Sequence, residues 1–264
     1  MLAQTSPAPA RWIYATEARR LSAFEARAAR QARAVLVVND RERTSLLRLE
    51  PRANVHVVPN GVALDEFRPS GPPSRELRVT FCGVMNYRPN EEAALWFAAH
   101  VWPAIRAVRP EARLSLVGSN PTNAMRRLAT TDPTVEVTGA VPDVRPYLWR
   151  SAVGIAPLFV ARGVQNKVLE AVAAGLPSVV TPAVADGLPA EVKQACRVAA
   201  DAEGFAAAVL DLLARCPVER RHMSERASLS ALGWPERLAP LLPILEAAAR
   251  TQAPELERPR TSVA

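Results

Sequence analysis

The stretch ARGVQNKVLEAVAAGLPSVVT, residues 161–181, is the most informative part of this chain. It begins with a glycine-containing turn, continues as alanine-rich helical turns, and breaks at the Gly-Leu-Pro sequence of residues 175–177. A short β-branched run follows, which is typical of a buried strand. We therefore predict a helix over residues 163–174 and a strand over residues 178–181, one step of a parallel α/β sheet.

The start of this predicted helix carries residues that suit an anionic ligand. Gly163 and Asn166 fall in or just before the first turn, where backbone N–H groups lack intrahelical partners at the positive end of the dipole. Lys167 and Glu170 are three residues apart and share one helical face. A cation beside free amides suits a diphosphate, and a carboxylate one turn further suits the hydroxyls of a ribose. The alternative is an exposed ion pair worth only about 0.3 kcal/mol.

Outside this stretch, strand and helix patterns alternate, which predicts an α/β fold: a Rossmann-like parallel sheet with helices on both faces. The predicted strands cover residues 77–82, 113–117, 135–137, 153–156 and 197–199, besides 178–181. The predicted helices between them cover residues 90–108, 122–130 and 144–150, and three more follow at 202–214, 218–231 and 234–250.

The upstream part of the chain predicts a smaller unit. An amphipathic helix at residues 12–33 precedes short strands at 34–38 and 55–58, too little to stand alone as a domain. We place this unit at residues 11–67, a Pro/Gly/Ser linker at 68–74, and the main domain with its C-terminal helices at 75–250. Residues 1–10 and 251–264 are predicted to be a disordered lead-in and tail.

The composition excludes several classes of protein. The 264 residues are 49% apolar, with a mean hydropathy of −0.01, and contain neither an 18-residue uncharged apolar window nor a secretory signal pattern. Cys82, Cys196 and Cys216 are widely spaced, without a metal-ligand pattern. We therefore expect reduced thiols, a cytoplasmic location and no bound metal.

The net charge of +7 and pI of about 10.1 raise the question of a polyanionic partner. The arginines are dispersed and interleaved with acidic residues, as in residues 17–33, which is typical of a solvated helix face. This pattern favours weak attraction to an anionic membrane surface over nucleic-acid binding, so no nucleic acid is expected. The chain also lacks Asp-x-Asp, G-x-G-x-x-G and P-loop motifs, and we expect no cofactor.

Five segments together resemble the family 4 glycosyltransferases, retaining enzymes of the GT-B fold. LEAVAAGLPSVV, residues 169–180, is similar to the Leu-Glu-Ala-Met-Ala-x-Gly-x-Pro-Val-Val segment of their donor domain, with Val172 in the Met position. The others are VVPNGVALDEF (57–67), FCGVMNYRPNEEA (81–93), LSLVGSNP (114–121) and VTGAVPDVRPYL (137–148). The GVQNKVLEA form most resembles a bacterial branch associated with exopolysaccharide loci of the exosortase (PEP-CTERM) sorting system.

This resemblance implies a nucleotide-diphosphate-sugar donor of UDP or GDP type. The implied donor-binding residues are Gly83, Arg88, Val141, Gly163, Asn166, Lys167 and Glu170. Lys167 and Arg162 would act catalytically, by absorbing charge on the departing diphosphate. Glu170 would hold the ribose and Val141 would contact the base, while an ordinary β–α turn is the alternative for Gly83 and Val141.

The chain departs from the family pattern at two places. Arg162 stands where many members carry the first of two glutamates separated by seven residues. Residues 11–67 resemble only the end of the family's N-terminal acceptor domain, so about 130–150 further residues would be expected upstream.

The function implied is transfer of a sugar to an acceptor hydroxyl with retention, in exopolysaccharide or cell-surface glycan synthesis. The expected acceptor is a glycan or a lipid-linked glycan, reached by peripheral contact with the inner face of the plasma membrane. A GT-B epimerase or phosphorylase is one alternative, although its acid–base carboxylates or pyridoxal lysine are not evident. Another is a truncated, catalytically silent nucleotide-sugar-binding or scaffold protein.

Overall fold

The computed structural model describes residues 8–69, 71–161 and 163–250. Its chain forms two compact units, one of Met1–Pro59 with Arg237–Ala264 and the other of Asn60–Glu236. The boundaries predicted at 67 and 75 differ from this division, because residues 60–67 fold with the larger unit. The segment after Glu236 is grouped with the smaller unit.

The smaller unit is built around two short parallel strands. Its elements are α1 (Ala8–Gln31), β1 (Val35–Val37), α2 (Asp40–Leu49), β2 (Val55–Val57) and, near the C-terminus, α14 (Leu241–Arg250). The strands pair in parallel from Val35 opposite Val55. The apolar face predicted on α1 is exposed, with Phe24 58% accessible. The predicted lead-in at 1–10 falls largely outside the described residues, but α1 already begins at Ala8.

The larger unit is a six-stranded parallel sheet with helices between the strands, as the alternating pattern predicts. Its strands are β3 (Arg78–Cys82), β4 (Arg113–Val117), β5 (Val135–Val137), β6 (Val153–Ala156), β7 (Ser178–Val180) and β8 (Cys196–Val198). Their order across the sheet is β5-β4-β3-β6-β7-β8. The three central strands β3, β6 and β7 are buried along their whole length, as expected of a sheet covered on both faces.

The helices of the larger unit are α3 (Leu64–Phe67), α4 (Arg88–Trp96), α5 (Trp102–Val108), α6 (Asn123–Thr131), α7 (Arg145–Trp149), α8 (Asn166–Ala173), α9 (Pro182–Ala185), α10 (Ala190–Lys193), α11 (Ala202–Ala214) and α12 (Pro217–Glu225). Most of them lie where the sequence predicted a helix, but α3, α9 and α10 were not predicted. A short 3₁₀ turn, Ser230–Leu232, precedes α13 (Trp234–Leu238).

Four helix predictions need correction. The helix predicted over 218–231 ends at Glu225, and the one predicted over 234–250 divides into α13 and α14. The helix predicted over 90–108 is interrupted by a π turn at Phe97–Val101, because Pro103 has no N–H to continue the ladder. The helix predicted over 163–174 begins only at Asn166, because Gly163 has a φ of 63°, outside the helical region. The predicted tail at 251–264 lies outside the described residues.

The strand order places a topological switch at β3 and β6, neighbours from which the chain continues toward opposite edges of the sheet. Doubly wound sheets bind ligands in the crevice at the carboxyl ends of such strands. The loop after β3 begins with Gly83, and the loop after β6 leads into α8. The fold therefore brings two predicted site segments to the same edge.

A close backbone approach holds the loop after β3. A Cβ built on Gly118, just after β4, would lie 1.8 Å from the carbonyl oxygen of Gly83. The amide of Gly83 in turn donates to the carbonyl of Val117 at 3.0 Å. Only glycine fits at position 118, because any Cβ there would collide with the backbone carbonyl of Gly83, which cannot turn aside as a flexible side chain could.

We expect Gly118→Ala to lower the free energy of unfolding by about 3 kcal/mol or more, measured by urea denaturation. Gly139→Ala is the matched control. Both glycines have a positive φ, 146° at Gly118 and 73° at Gly139, but a Cβ on Gly139 would meet nothing within 4 Å. This control should cost only about 1–2 kcal/mol of backbone strain. Equal losses in the two variants would contradict the close-approach argument.

Candidate functional site

Lys167 is the centre of the candidate site, on the first turn of α8. Its Nζ donates a hydrogen bond to Oδ1 of Asn90 at 2.6 Å. The same nitrogen lies 4.4 Å from the centroid of the Phe81 ring, within the range of a cation–π interaction. Because Phe81 is on β3 and Asn90 is on α4, the ammonium connects the two segments that meet at the switch point.

Gly83 makes room for this arrangement. A Cβ at Gly83 would lie 2.7 Å from Nδ2 of Asn90 and 3.2 Å from Nζ of Lys167. The predicted role of Gly83 at this loop is therefore accompanied by a steric reason for glycine. A side chain there would displace the groups that form the site.

The electrostatics of the site are dominated by burial. Burial lowers the pKa of Lys167 to about 8, although the nearby Cys82 and Glu170 act in the opposite direction. Burial also raises the pKa of the Glu170 carboxyl, partly offset by Lys167. The pKa of the Cys82 thiol is raised to about 12, first by burial and then by Glu170, so this cysteine is not a nucleophile near neutral pH.

The two charged side chains of α8 are thus withdrawn from water, which contradicts the reading of Lys167 and Glu170 as an exposed helical ion pair. Both are partly buried. Charged groups kept in such surroundings are more common at functional sites than in purely structural positions.

The loop that leads into α8 is held by close contacts. A Cβ on Gly187 would approach the carbonyl oxygen of Gly163 to 2.5 Å, so position 187 favours glycine. Position 163 favours glycine for another reason, its φ of 63°. Asn166, the first residue of α8, accepts a hydrogen bond from Nδ2 of Asn60 at 3.3 Å. In the first turn the amide of Val168 donates to the carbonyl of Gln165 at 2.9 Å, and the helix N-terminus carries the partial positive charge that suits an anion.

The remaining predicted residues are placed as follows. Val141 packs, partly buried, against the apolar cluster that includes Cys82 and Ala171, near the ends of the strands. Arg88 begins α4 on an exposed face, and its Nε pairs with Glu92 at 2.7 Å. Its predicted phosphate role stays a prediction. Arg162 lies outside the described residues.

Sequence reasoning missed Asn90, the hydrogen-bond partner of Lys167. Asn90 is only 6% exposed and is the third residue of α4, just after Pro89. A polar residue that follows a glycine loop at the start of a helix is a usable signal, but helix starts carry such residues for capping as well. Gly187 was also missed, since its partner Gly163 is far away in sequence.

The chemistry available here is anion binding. A partly desolvated ammonium, a helix N-terminus and a half-buried carboxylate converge at the end of the sheet. Across the described residues, no group of three or more His, Cys, Asp or Glu could hold a metal ion. None of the described helices has the length and apolar composition needed to cross a membrane.

One protein family matches this chain. The model of a family described as "Glycosyl transferases group 1" matches residues 76–215, which is more than half of the chain. A comparison with curated protein sequences finds no match.

Solved structures share the fold. A variant of TarM from S. aureus, with fondaparinux, alpha-GlcNAc-glycerol and UDP, has a TM-score of 0.63 at 14% identity over 83% of this chain and 43% of that chain. Sucrose-phosphate synthase from Thermosynechococcus elongatus has a TM-score of 0.63 at 23% identity over 81% and 59%. Anabaena HepE, with UDP and glucose, has a TM-score of 0.62 at 14% identity over 85% of this chain and 65% of that chain.

These similarities confirm the predicted fold class, a parallel sheet that matches the Rossmann-like GT-B fold of those structures. The chain spans 43% to 65% of the length of these three solved structures. At these identities the likeness extends to the fold alone.

We expect the Lys167 ammonium to titrate near pH 8, because its burial disfavours the charged form. The sequence contains only two lysines, so lysine labelled with carbon-13 at Cε gives two resolvable signals. The exposed Lys193 serves as the internal control. A Lys167 signal that stays unchanged until about pH 10 would show that the ammonium is fully hydrated.

Proposed function

Because this chain belongs to the group 1 glycosyl transferases, we propose that it binds a nucleotide-diphosphate sugar and transfers the sugar to an acceptor hydroxyl. The observation that carries the proposal is the Lys167 ammonium, held at 2.6 Å from Asn90 beside the Gly83 loop. Two chain segments meet there at the switch point of the sheet, where such folds bind phosphate-bearing ligands.

The proposed mechanism is electrostatic. As the bond between the anomeric carbon and the diphosphate oxygen breaks, negative charge grows on the leaving diphosphate. Lys167 and the N-terminal amides of α8 are placed to stabilise that charge, in surroundings where water is partly excluded. Arg162 is proposed as a second cation at the diphosphate. No metal ion is needed in this scheme.

Glu170 is proposed to accept hydrogen bonds from the ribose hydroxyls. It lies one helical turn from Lys167 on the same face, so a nucleotide that contacts both residues is held in one position along the helix. Val141, Gly163 and Asn166 would complete the binding site on the base and diphosphate sides. Two of the similar solved structures contain UDP, which makes UDP the first nucleotide to test.

The finer parts of the proposal follow from the resemblance stated above. They are transfer with retention of the anomeric configuration, a glycan or lipid-linked acceptor, and a role in exopolysaccharide or cell-surface glycan synthesis of the exosortase-associated type. We further propose a cytoplasmic protein with peripheral contact at the inner membrane face. A silent nucleotide-sugar-binding protein is the alternative, and donor binding without sugar transfer would support it.

We expect UDP to raise the Tm of the protein and Glu170→Gln to remove at least about half of that rise. At about 100 times Kd the ligand adds about 2.7 kcal/mol, or roughly 5–10 °C for a chain of this size. The amide of Gln keeps one acceptor oxygen but replaces the other with an NH2 donor and removes the charge, which should weaken binding about 10- to 100-fold. The measurement is thermal unfolding with UDP, with GDP and without nucleotide.

Glu170→Gln should still fold, because burial already disfavours the charged form of this carboxyl. The control is Glu203→Gln, at an exposed position on α11 of the same unit. It should keep the full rise in Tm. If Glu170→Gln also kept it, the ribose role of Glu170 would be wrong.

We also expect the affinity for a UDP-sugar to fall about tenfold between roughly pH 7 and pH 9. Since the pKa of Lys167 is lowered to about 8, the cation that binds diphosphate is present below that pH and lost above it. The titratable groups that act on it are Cys82 on β3 and Glu170 on α8. Calorimetric titration at a series of pH values measures the effect.

Two lysine variants control for titration of the nucleobase itself. Lys193→Met should keep the wild-type pH dependence, whereas Lys167→Met should bind weakly with little dependence on pH. An affinity of the wild-type protein that stays level over this pH range would contradict the role of Lys167.

A further inference from the structure

We propose that Asn90 is the positioning residue of the site: its side-chain amide ties the Lys167 ammonium to the loop after β3 and so aims the cation at the diphosphate. Nothing in the sequence pattern assigned Asn90 a role. The inference rests on the proposed function, which it extends by one residue and one mechanism.

Both ends of the Asn90 amide are used, one on each side of the site. Oδ1 accepts from Nζ of Lys167 at 2.6 Å, and Nδ2 donates to the carbonyl of Val84 at 2.9 Å. A lysine can only donate and a backbone carbonyl can only accept, so this orientation of the amide is the one that satisfies both partners. Asn90 thus bridges α8 to the loop after β3.

The bridge is partly buried and tightly surrounded. Asn90 is 6% exposed, and a single added carbon at Gly83 would approach its Nδ2 to 2.7 Å. Phe81 covers another side of the ammonium, 4.4 Å from the ring centroid. An ammonium has three N–H donors, so a hydrogen bond to Asn90 leaves donors for phosphate oxygens while fixing the nitrogen.

The position of the ammonium matters because a lysine side chain has many rotamers. A flexible cation must lose that freedom when it binds the ligand, whereas one held beforehand has already lost it. The amide is neutral, so it fixes the cation without cancelling its charge. An aspartate at this position would offset that charge.

A purely structural role is the competing explanation, in which Asn90 only fastens the loop to the start of α4. The two explanations differ in what they predict for Lys167 itself. A positioning residue that accepts a hydrogen bond from the charged form changes the pKa of Lys167 when it is replaced. A loop fastener lowers stability but has no reason to change that pKa in a direction set by the substituent.

The test compares Asn90→Ala and Asn90→Asp with Asn123→Ala, a control at an exposed asparagine that begins α6. Carbon-13 titration of Lys167 and calorimetric titration with UDP are performed on each full-length variant. Asn90→Ala should lower the pKa of Lys167 and Asn90→Asp should raise it. Each should weaken UDP binding at neutral pH about tenfold, and the control should change neither quantity.

A double-variant cycle adds a second measurement. If Asn90 acts through the lysine, Asn90→Ala should cost no further affinity for UDP once Lys167→Met is present. Opposite pKa shifts together with this coupling support the proposal. Should Asn90→Ala not fold, Asn90→Ser, whose hydroxyl is too short to reach the position of the amide oxygen, replaces it in both measurements.

The inference is overturned if both variants leave the pKa of Lys167 unchanged and the affinity for UDP within about twofold of wild type. That result is distinct from failure of the proposed function, in which the wild-type protein itself binds neither UDP nor GDP. In that case the pKa shifts would show only that Asn90 is a hydrogen-bond partner of Lys167. The proposal that Asn90 aims the lysine at a diphosphate would be contradicted.

Discussion

The site depends on one partly buried interaction, the hydrogen bond from the Lys167 ammonium to the Asn90 amide. Removing a charge from water is costly unless the protein supplies partners for it. Here the partners are an amide oxygen at 2.6 Å and an aromatic face, and burial still lowers the pKa of the lysine to about 8. A group that is kept charged near neutral pH under these conditions is poised to gain from an anionic ligand, which would restore the lost solvation.

The sheet supplies the rigidity that this interaction requires. Phe81 is fully buried in β3, and the loop that follows it is held by the close approach of Gly83 to Gly118. Lys167 comes from the other side of the topological switch, on a helix whose apolar residues Val168 and Leu169 are buried in the core. Since both supporting elements are packed against the same sheet, the distance between loop and helix is set by the core and not by the ligand.

The sequence predicted the fold well because its signals are local. Continuous apolar strands, such as residues 153–156, and helices between them specify a parallel sheet without knowledge of any long-range contact. The helix that carries Lys167 and Glu170 was located by its flanking glycines, although its first turn was placed three residues too early. That error has a local cause, because sequence alone does not show that Gly163 takes a positive φ.

What the sequence could not show were relations between distant residues. Asn90 and Lys167 are 77 residues apart, and nothing in either segment states that they touch. Periodicity also failed to distinguish a covered face from an open one. The apolar residues of α1 recur at helical spacing, yet Phe24 and Leu21 are more than half exposed. A repeat shows which residues share a face, but burial depends on what packs against that face.

The choice of lysine at position 167 is itself informative in a chain that otherwise uses arginine. Of 33 cationic side chains only two are lysines, so composition alone would favour arginine at this position. An ammonium is compact and its pKa responds to burial, whereas a guanidinium is a broad planar fork that stays charged. The space between Asn90, the Phe81 ring and Gly83 suits the smaller group: a Cβ at Gly83 would already lie 3.2 Å from Nζ. Size and adjustable charge together account for a lysine here, because the cation must fit into the partly buried space beside Asn90.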